Sequence, residues 1–194
     1  KDEFRLSSDI DLLVGDDAES IVTALTEIGY EEDTPHSRHF RFGERAFHQH
    51  EKRLPGWVEV HRCLDKILLR PIPYAEVLAR ANPSGRKGFR YPTIEDLLLL
   101  VVLHASADPN FHPERVQRDL RFLIGHGKPD MDIVWLRAHQ WELSRALRRL
   151  LSGRHPQKAP TPGRWSASKT VSYLMQQLLW HDSPLTVLRG LAKY

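Results

Sequence analysis

Polar and apolar residues alternate with a short period through the first sixty positions, and the period then lengthens. Asp9-Ile10-Asp11-Leu12-Leu13-Val14 reads as a short strand closed by Gly15 and Asp16. Asp17 suits the N-cap of a helix running to about Ile28, with Ile21, Leu25 and Ile28 as its apolar stripe and Gly29 as its stop. Residues 38 to 50 alternate again, with Phe40 and Phe42 on one face, and predict two strands joined by a tight turn at Gly43. Leu54-Pro55-Gly56 makes another turn. Trp57 to Leu64 then forms a strand with Val58 and Val60 on one face and Glu59 and His61 on the other.

Beyond Pro71 and Pro73 the pattern is helical. Thr93 followed by Asp96 resembles a capping box, opening a buried helix to Ala107 with His104 in its core. Pro113 opens a helix to about Gly125. Further helices are expected near 130–139, 141–152, 167–180 and 184–192. The prolines and glycines of 71–92 mark a boundary. The reading is therefore α+β: a small mixed sheet with flanking helices over 1–72, then a helical region over 73–194.

Composition narrows the class. The 194 residues are 41% hydrophobic and 27% charged, as in an ordinary water-soluble domain. The longest apolar run, Leu97 to Leu103, is far shorter than the ~20 residues of a membrane span. One cysteine, Cys63, excludes an internal disulfide and suits a reducing, cytoplasmic setting. The net charge of +3 is uneven, because Arg145, Arg148, Arg149, Arg154, Lys158, Arg164 and Lys169 follow one another with no acid between. Such a run is most often a solvated face, and it can also meet phosphate or an acidic partner.

The candidate chemistry lies in the acids. Residues two apart on a strand point the same way, so Asp9 and Asp11 share a face. Two neighbouring carboxylates repel, and a hard divalent cation such as Mg²⁺ or Mn²⁺ relieves that repulsion. The alternative is that they cap a loop or pair with arginines. Glu59 stands between valines on its own strand. If that strand neighbours the first, Glu59 completes a three-carboxylate cluster able to hold metal around a triphosphate.

Ser7-Ser8-Asp9-Ile10-Asp11-Leu12-Leu13-Val14 resembles the signature strand of the DNA polymerase beta-like nucleotidyltransferase superfamily. Gly29-Tyr30, Val58-Glu59-Val60-His61 and Thr93-Ile94-Glu95-Asp96-Leu97-Leu98 with His104 resemble its bacterial "nucleotidyltransferase family" branch. The resemblance spans roughly residues 4 to 125. It implies that Asp9 and Asp11 are metal ligands and that Glu59 is the third carboxylate, aiding deprotonation of an acceptor hydroxyl. Ser7 or Ser8 would contact phosphate, and His61 would hydrogen-bond a carboxylate or phosphate beside the ligands. The implied reaction moves a nucleoside monophosphate from an NTP, with ATP the expected donor, to a hydroxyl of a small molecule, peptide or protein. A nucleic-acid acceptor is possible but not favoured.

Two departures accompany the resemblance. Fewer residues precede Asp9 than the superfamily's phosphate-cradling Gly-Ser turn and helix require, so the 1–72 core is expected to lack that element. The alternative function is accordingly a catalytically degenerate nucleotide-sensing or partner-binding module. The third acid is Glu where the branch more often has Asp, which supplies the same oxygens on a longer arm. His48 and His50 share a strand face and read as exposed hairpin residues before they read as a zinc pair. No phosphate-binding glycine loop or dinucleotide fingerprint is present.

Overall fold

The computed structural model describes residues 9–15, 18–33, 44–49, 56–63, 70–86, 88–107, 112–154, 180–183 and 185, with Asp9 described by its backbone. It divides into two compact units, Lys1–Lys66 and Ile67–Tyr194. The α+β class holds, and no helix among the described residues is long and apolar enough to cross a membrane.

In the first unit β1 (Asp9–Leu13) is followed by α1 (Ala18–Glu27), β2 (Glu31–Glu32), β3 (Glu44–His48) and β4 (Trp57–His61). The sheet order is β1-β4-β3-β2, with β1 parallel to β4 and the other pairs antiparallel. Alternation sorts the two faces. Phe47, Val58 and Val60 are buried together with Leu25 and Tyr30, and Leu12, Val14, Ile21 and Val22 pack against them. Each such side chain contributes about 1.5–3 kcal/mol through burial, so the core face fixes which way the opposite face points.

Gly29 ends α1 at φ 89°, where a left-handed conformation lets Tyr30 N–H reach the Leu25 carbonyl at 3.0 Å. The Gln49 amide donates to the Ile28 carbonyl at 3.1 Å and binds this helix end to β3's exit. Arg45 donates to Glu32 through Nε (3.0 Å) and Nη2, and through Nη1 to Glu19 (3.3 Å), linking β3 to β2 and α1.

Several expectations are corrected here. Ile28, expected on the apolar stripe of α1, is 57% exposed and does not join the core. The strand from Trp57 stops at His61, not Leu64. The expected strand over 38–42, the Asp17 cap, His50, and Ser7 and Ser8 lie outside the described residues.

The second unit holds α2 (Tyr74–Arg80), a hairpin of β5 (Asn82–Pro83) and β6 (Arg90–Tyr91), then α3 (Ile94–Ala107), α4 (Pro113–Phe122), α5 (Met131–Gln140) and α6 (Ser144–Leu151). Residues 71–92 therefore carry a helix and a hairpin where the sequence suggested only a boundary. α3 is the hub. Leu98, Leu99, Val102 and Ala105 are fully buried, and α3 contacts α4, α5 and α6. His104, expected in that core, is instead exposed. Leu97 and His104 lie seven residues apart, two helical turns, on the one stripe of α3 that faces outward.

Thr93 accepts from Asp96 N–H at 3.3 Å, as the first half of a capping box requires. The Asp96 side chain does not reciprocate. It accepts from Arg80 Nε (2.6 Å), Arg80 Nη2 (3.0 Å) and Arg137 Nη1 (3.0 Å), fastening α2 and α5 to the start of α3. α4 continues into a π-helical turn, Leu123–Gly127, and Lys128 leaves it at φ 47°. The helix expected from residue 141 begins at Ser144, because Glu142 takes a left-handed φ of 55°. Its first N–H groups are capped from far away: Asp182 accepts from Ser144 N–H (2.8 Å) and Arg145 N–H (2.6 Å). The helices expected at 167–180 and 184–192 fall almost wholly outside the described residues.

Candidate metal centre

The parallel register sets Asp11 directly beside Glu59 and Asp9 beside Trp57. The two acids whose pairing the sequence left conditional are thus nearest neighbours on one sheet face. Val58 and Val60, 4% and 2% exposed, hold β4 by its other face. Sheet geometry leaves paired residues ~4.5–5.5 Å apart at Cβ, so these carboxylates cannot avoid each other.

His61 stands two residues beyond Glu59 and therefore on the same face. Its Nε2 lies 3.1 Å from Asp11 Oδ1 and 3.5 Å from Glu59 Oε2. Its Nδ1 lies 3.8 Å from Glu44 Oε2 on β3, where Glu44 is the register partner of His61. Burial is the largest influence on this ring and favours its neutral form. Hydrogen bonds to Asp11 and Glu59 and the charges of Asp11 and Glu44 outweigh it and raise the pKa to about 9. A protonated imidazole thus offsets part of the negative charge gathered on this face.

Asp11, Glu59 and His61 each offer a ligand atom, all within 4.8 Å of one another. Asp11 is exposed, Glu59 half-buried and His61 buried, so the group opens to solvent on the Asp11 side. The residues fit a divalent cation. Oxygens from two carboxylates suit Mg²⁺ or Mn²⁺, and the His61 ring could add a nitrogen only after giving up its proton.

The sequence placed His61 beside the candidate ligands, and its Nε2 does lie within reach of both the Asp11 and Glu59 carboxylates. Glu44 was not among the candidates drawn from the sequence. Its signal was available, since Glu44, Ala46 and His48 alternate on a strand antiparallel to β4 and thus face the same way as Glu59. Of Asp9 the structure describes the backbone alone, paired in β1 with Trp57.

Residues 1–153 match the family model described as uncharacterised nucleotidyltransferase. The chain belongs to that family. The match covers β1 through α6, so the family's extent includes both the sheet and the helical unit that follows. Nucleotidyl transfer is therefore its general activity. Neither a search of curated proteins nor one of solved structures gives a match.

Proposed function

We propose that this nucleotidyltransferase uses Asp9, Asp11 and Glu59 to hold Mg²⁺ or Mn²⁺ and moves a nucleoside monophosphate from an NTP, ATP first, to a hydroxyl on a small molecule, peptide or protein. The observation that carries this reading is the side-by-side register of Asp11 and Glu59 with His61 between their oxygens. A bound divalent ion would neutralise triphosphate charge and align the reacting oxygens.

The chain's own groups divide the remaining work. Asp11, on the exposed side, would help hold the ion, which would supply charge neutralisation for the nucleotide phosphates. Glu59, half-buried, accepts the proton of the acceptor hydroxyl as its oxygen bonds the α-phosphorus and the bond to the β-phosphate breaks, releasing pyrophosphate. His61 is a positioning residue. Its Nε2 proton fixes the Asp11 and Glu59 carboxylates, and Glu44 steadies its other nitrogen. Ser7 and Ser8, next to β1 in sequence, are the proposed phosphate contacts.

Calorimetry with ATP and Mg²⁺ tests the reading. The unaltered chain should bind only with the cation present, and Asp11→Asn and Glu59→Gln should each abolish that binding. Cation-independent binding unchanged in both variants would sink the metal-centred reading in favour of a nucleotide-sensing module.

A further inference from the structure

We propose that the β5–β6 hairpin of the second unit is a docking element for single-stranded nucleic acid. The inference is independent of the metal-centred reading above.

The hairpin runs Asn82-Pro83-Ser84-Gly85-Arg86-Lys87-Gly88-Phe89-Arg90-Tyr91. Asn82 pairs with Tyr91 and Pro83 with Arg90. Alternation therefore puts Phe89 and Tyr91 on one face, together with Asn82, and puts Arg90 on the other. Arg90, exposed on the other face, has Nη1 3.5 Å from each of the Leu78 and Ala79 carbonyls at the end of α2. The aromatic face looks outward: Phe89 is 56% and Tyr91 64% exposed. Single exposed apolar residues need no explanation, but two rings adjacent on one projecting strand face form a surface with a preferred partner.

Three features choose that partner. The rings are ~6.7 Å apart along the strand, about twice the ~3.4 Å rise between stacked bases. One base fits between them, or two successive bases each find a ring. The charge is wholly positive: no acid occurs between Glu76 and Glu95, while Arg86, Lys87 and Arg90 fall within the hairpin. The polar groups flanking the rings, Asn82 on the same face and Ser84 at the turn, suit base edges better than acyl chains. Aromatic platforms beside cations are how sequence-tolerant proteins hold single strands, and a duplex would hide its base faces from both rings.

The described residues of the loop are tied together by hydrogen bonds. Ser84 N–H donates to the Phe89 carbonyl (3.2 Å), Arg86 N–H to Ser84 Oγ (3.2 Å), and Phe89 N–H to the Arg86 carbonyl (3.1 Å). Gly85 and Gly88 take φ of 77° and 87°, which lets the loop close this tightly.

Fluorescence anisotropy of a labelled oligouridylate, with the whole chain in EDTA so that the carboxylate site takes no part, is the test. Binding should weaken with salt at a log–log slope of about −2, as for roughly three phosphates on a single strand. Phe89→Ala with Tyr91→Ala should weaken it by about tenfold or more. Phe89→Leu with Tyr91→Leu, which keeps bulk but removes the stacking faces, should weaken it nearly as much, and carries the test if the alanine pair disturbs folding. Equal affinity for a duplex, or binding by the leucine pair at the unaltered strength, would overturn the proposal. So would binding to phosphatidylserine vesicles without binding to the oligonucleotide.

Discussion

His61 Nε2 lies 3.1 Å from Asp11 Oδ1, across a join between two strands that are 50 residues apart in sequence. This contact helps hold the ring in its charged form, against the pull of burial, with a pKa near 9. A raised histidine pKa stabilises the fold fully below the unfolded value of ~6.5, and that contribution is lost as pH rises through about 9. In the metal-free protein, NMR titration of the His61 ring should give a midpoint near 9. Asp11→Asn should lower it, and an unchanged midpoint would mean that Asp11 does not set the ring's charge.

Asp96 is fully buried and serves two arginines at once. Removing it takes the shared buried acceptor from Arg80 and Arg137, leaving Arg80 with Glu76 and Arg137 with Glu95 and Thr93. Asp96→Ala should cost about 3–5 kcal/mol in urea unfolding, the range for breaking a buried ion pair from one side. A cost below ~1 kcal/mol would show that water replaces the carboxylate.

His181 behaves oppositely to His61. It is fully buried, and burial, with the charges of Arg70 and Arg145, pushes its pKa down to about 3. A lowered histidine pKa stabilises the fold above the unfolded value of ~6.5, and that contribution drains away as pH falls toward 3. Unfolding free energy should therefore fall by up to ~1.4 kcal/mol per pH unit below 6.5 from this residue alone. His181→Leu should flatten the acid limb of the stability profile measured by denaturant titration.

Gly127 ends the π-helical turn against Ile94. A Cβ placed there would stand 2.5 Å from Ile94 Cγ1 and Cδ1. Gly127→Ala should destabilise by about 1–3 kcal/mol. Combining it with Ile94→Ala should cost less than the two separate losses, a coupling that thermal denaturation of the four-member mutant cycle would read.

What could be read from the chain follows the reach of each signal. Strand alternation is local, so the shared face of Glu59 and His61 was legible. Which strands lie side by side is not local, and the Asp11–Glu59 register came only from the fold. Asp182 capping α6 from 38 residues downstream was out of reach for the same reason. The prolines near 71–92 concealed structure, since Pro73 stands directly before α2 as its N-cap residue. His104 was misplaced because the leucines and valines of α3 hide its narrow outward stripe.

Among the described residues β1 pairs only with β4 and so forms the rim of the sheet. A rim strand exposes unmatched backbone groups and invites another chain to add to it. Asp11, exposed on that rim, places a charge where a second copy would otherwise dock. A charge at an exposed strand edge disfavours edge-to-edge pairing. Neutralising it, by mutation or by a tightly held ion, would lower the molecule's resistance to clumping as well as alter its chemistry.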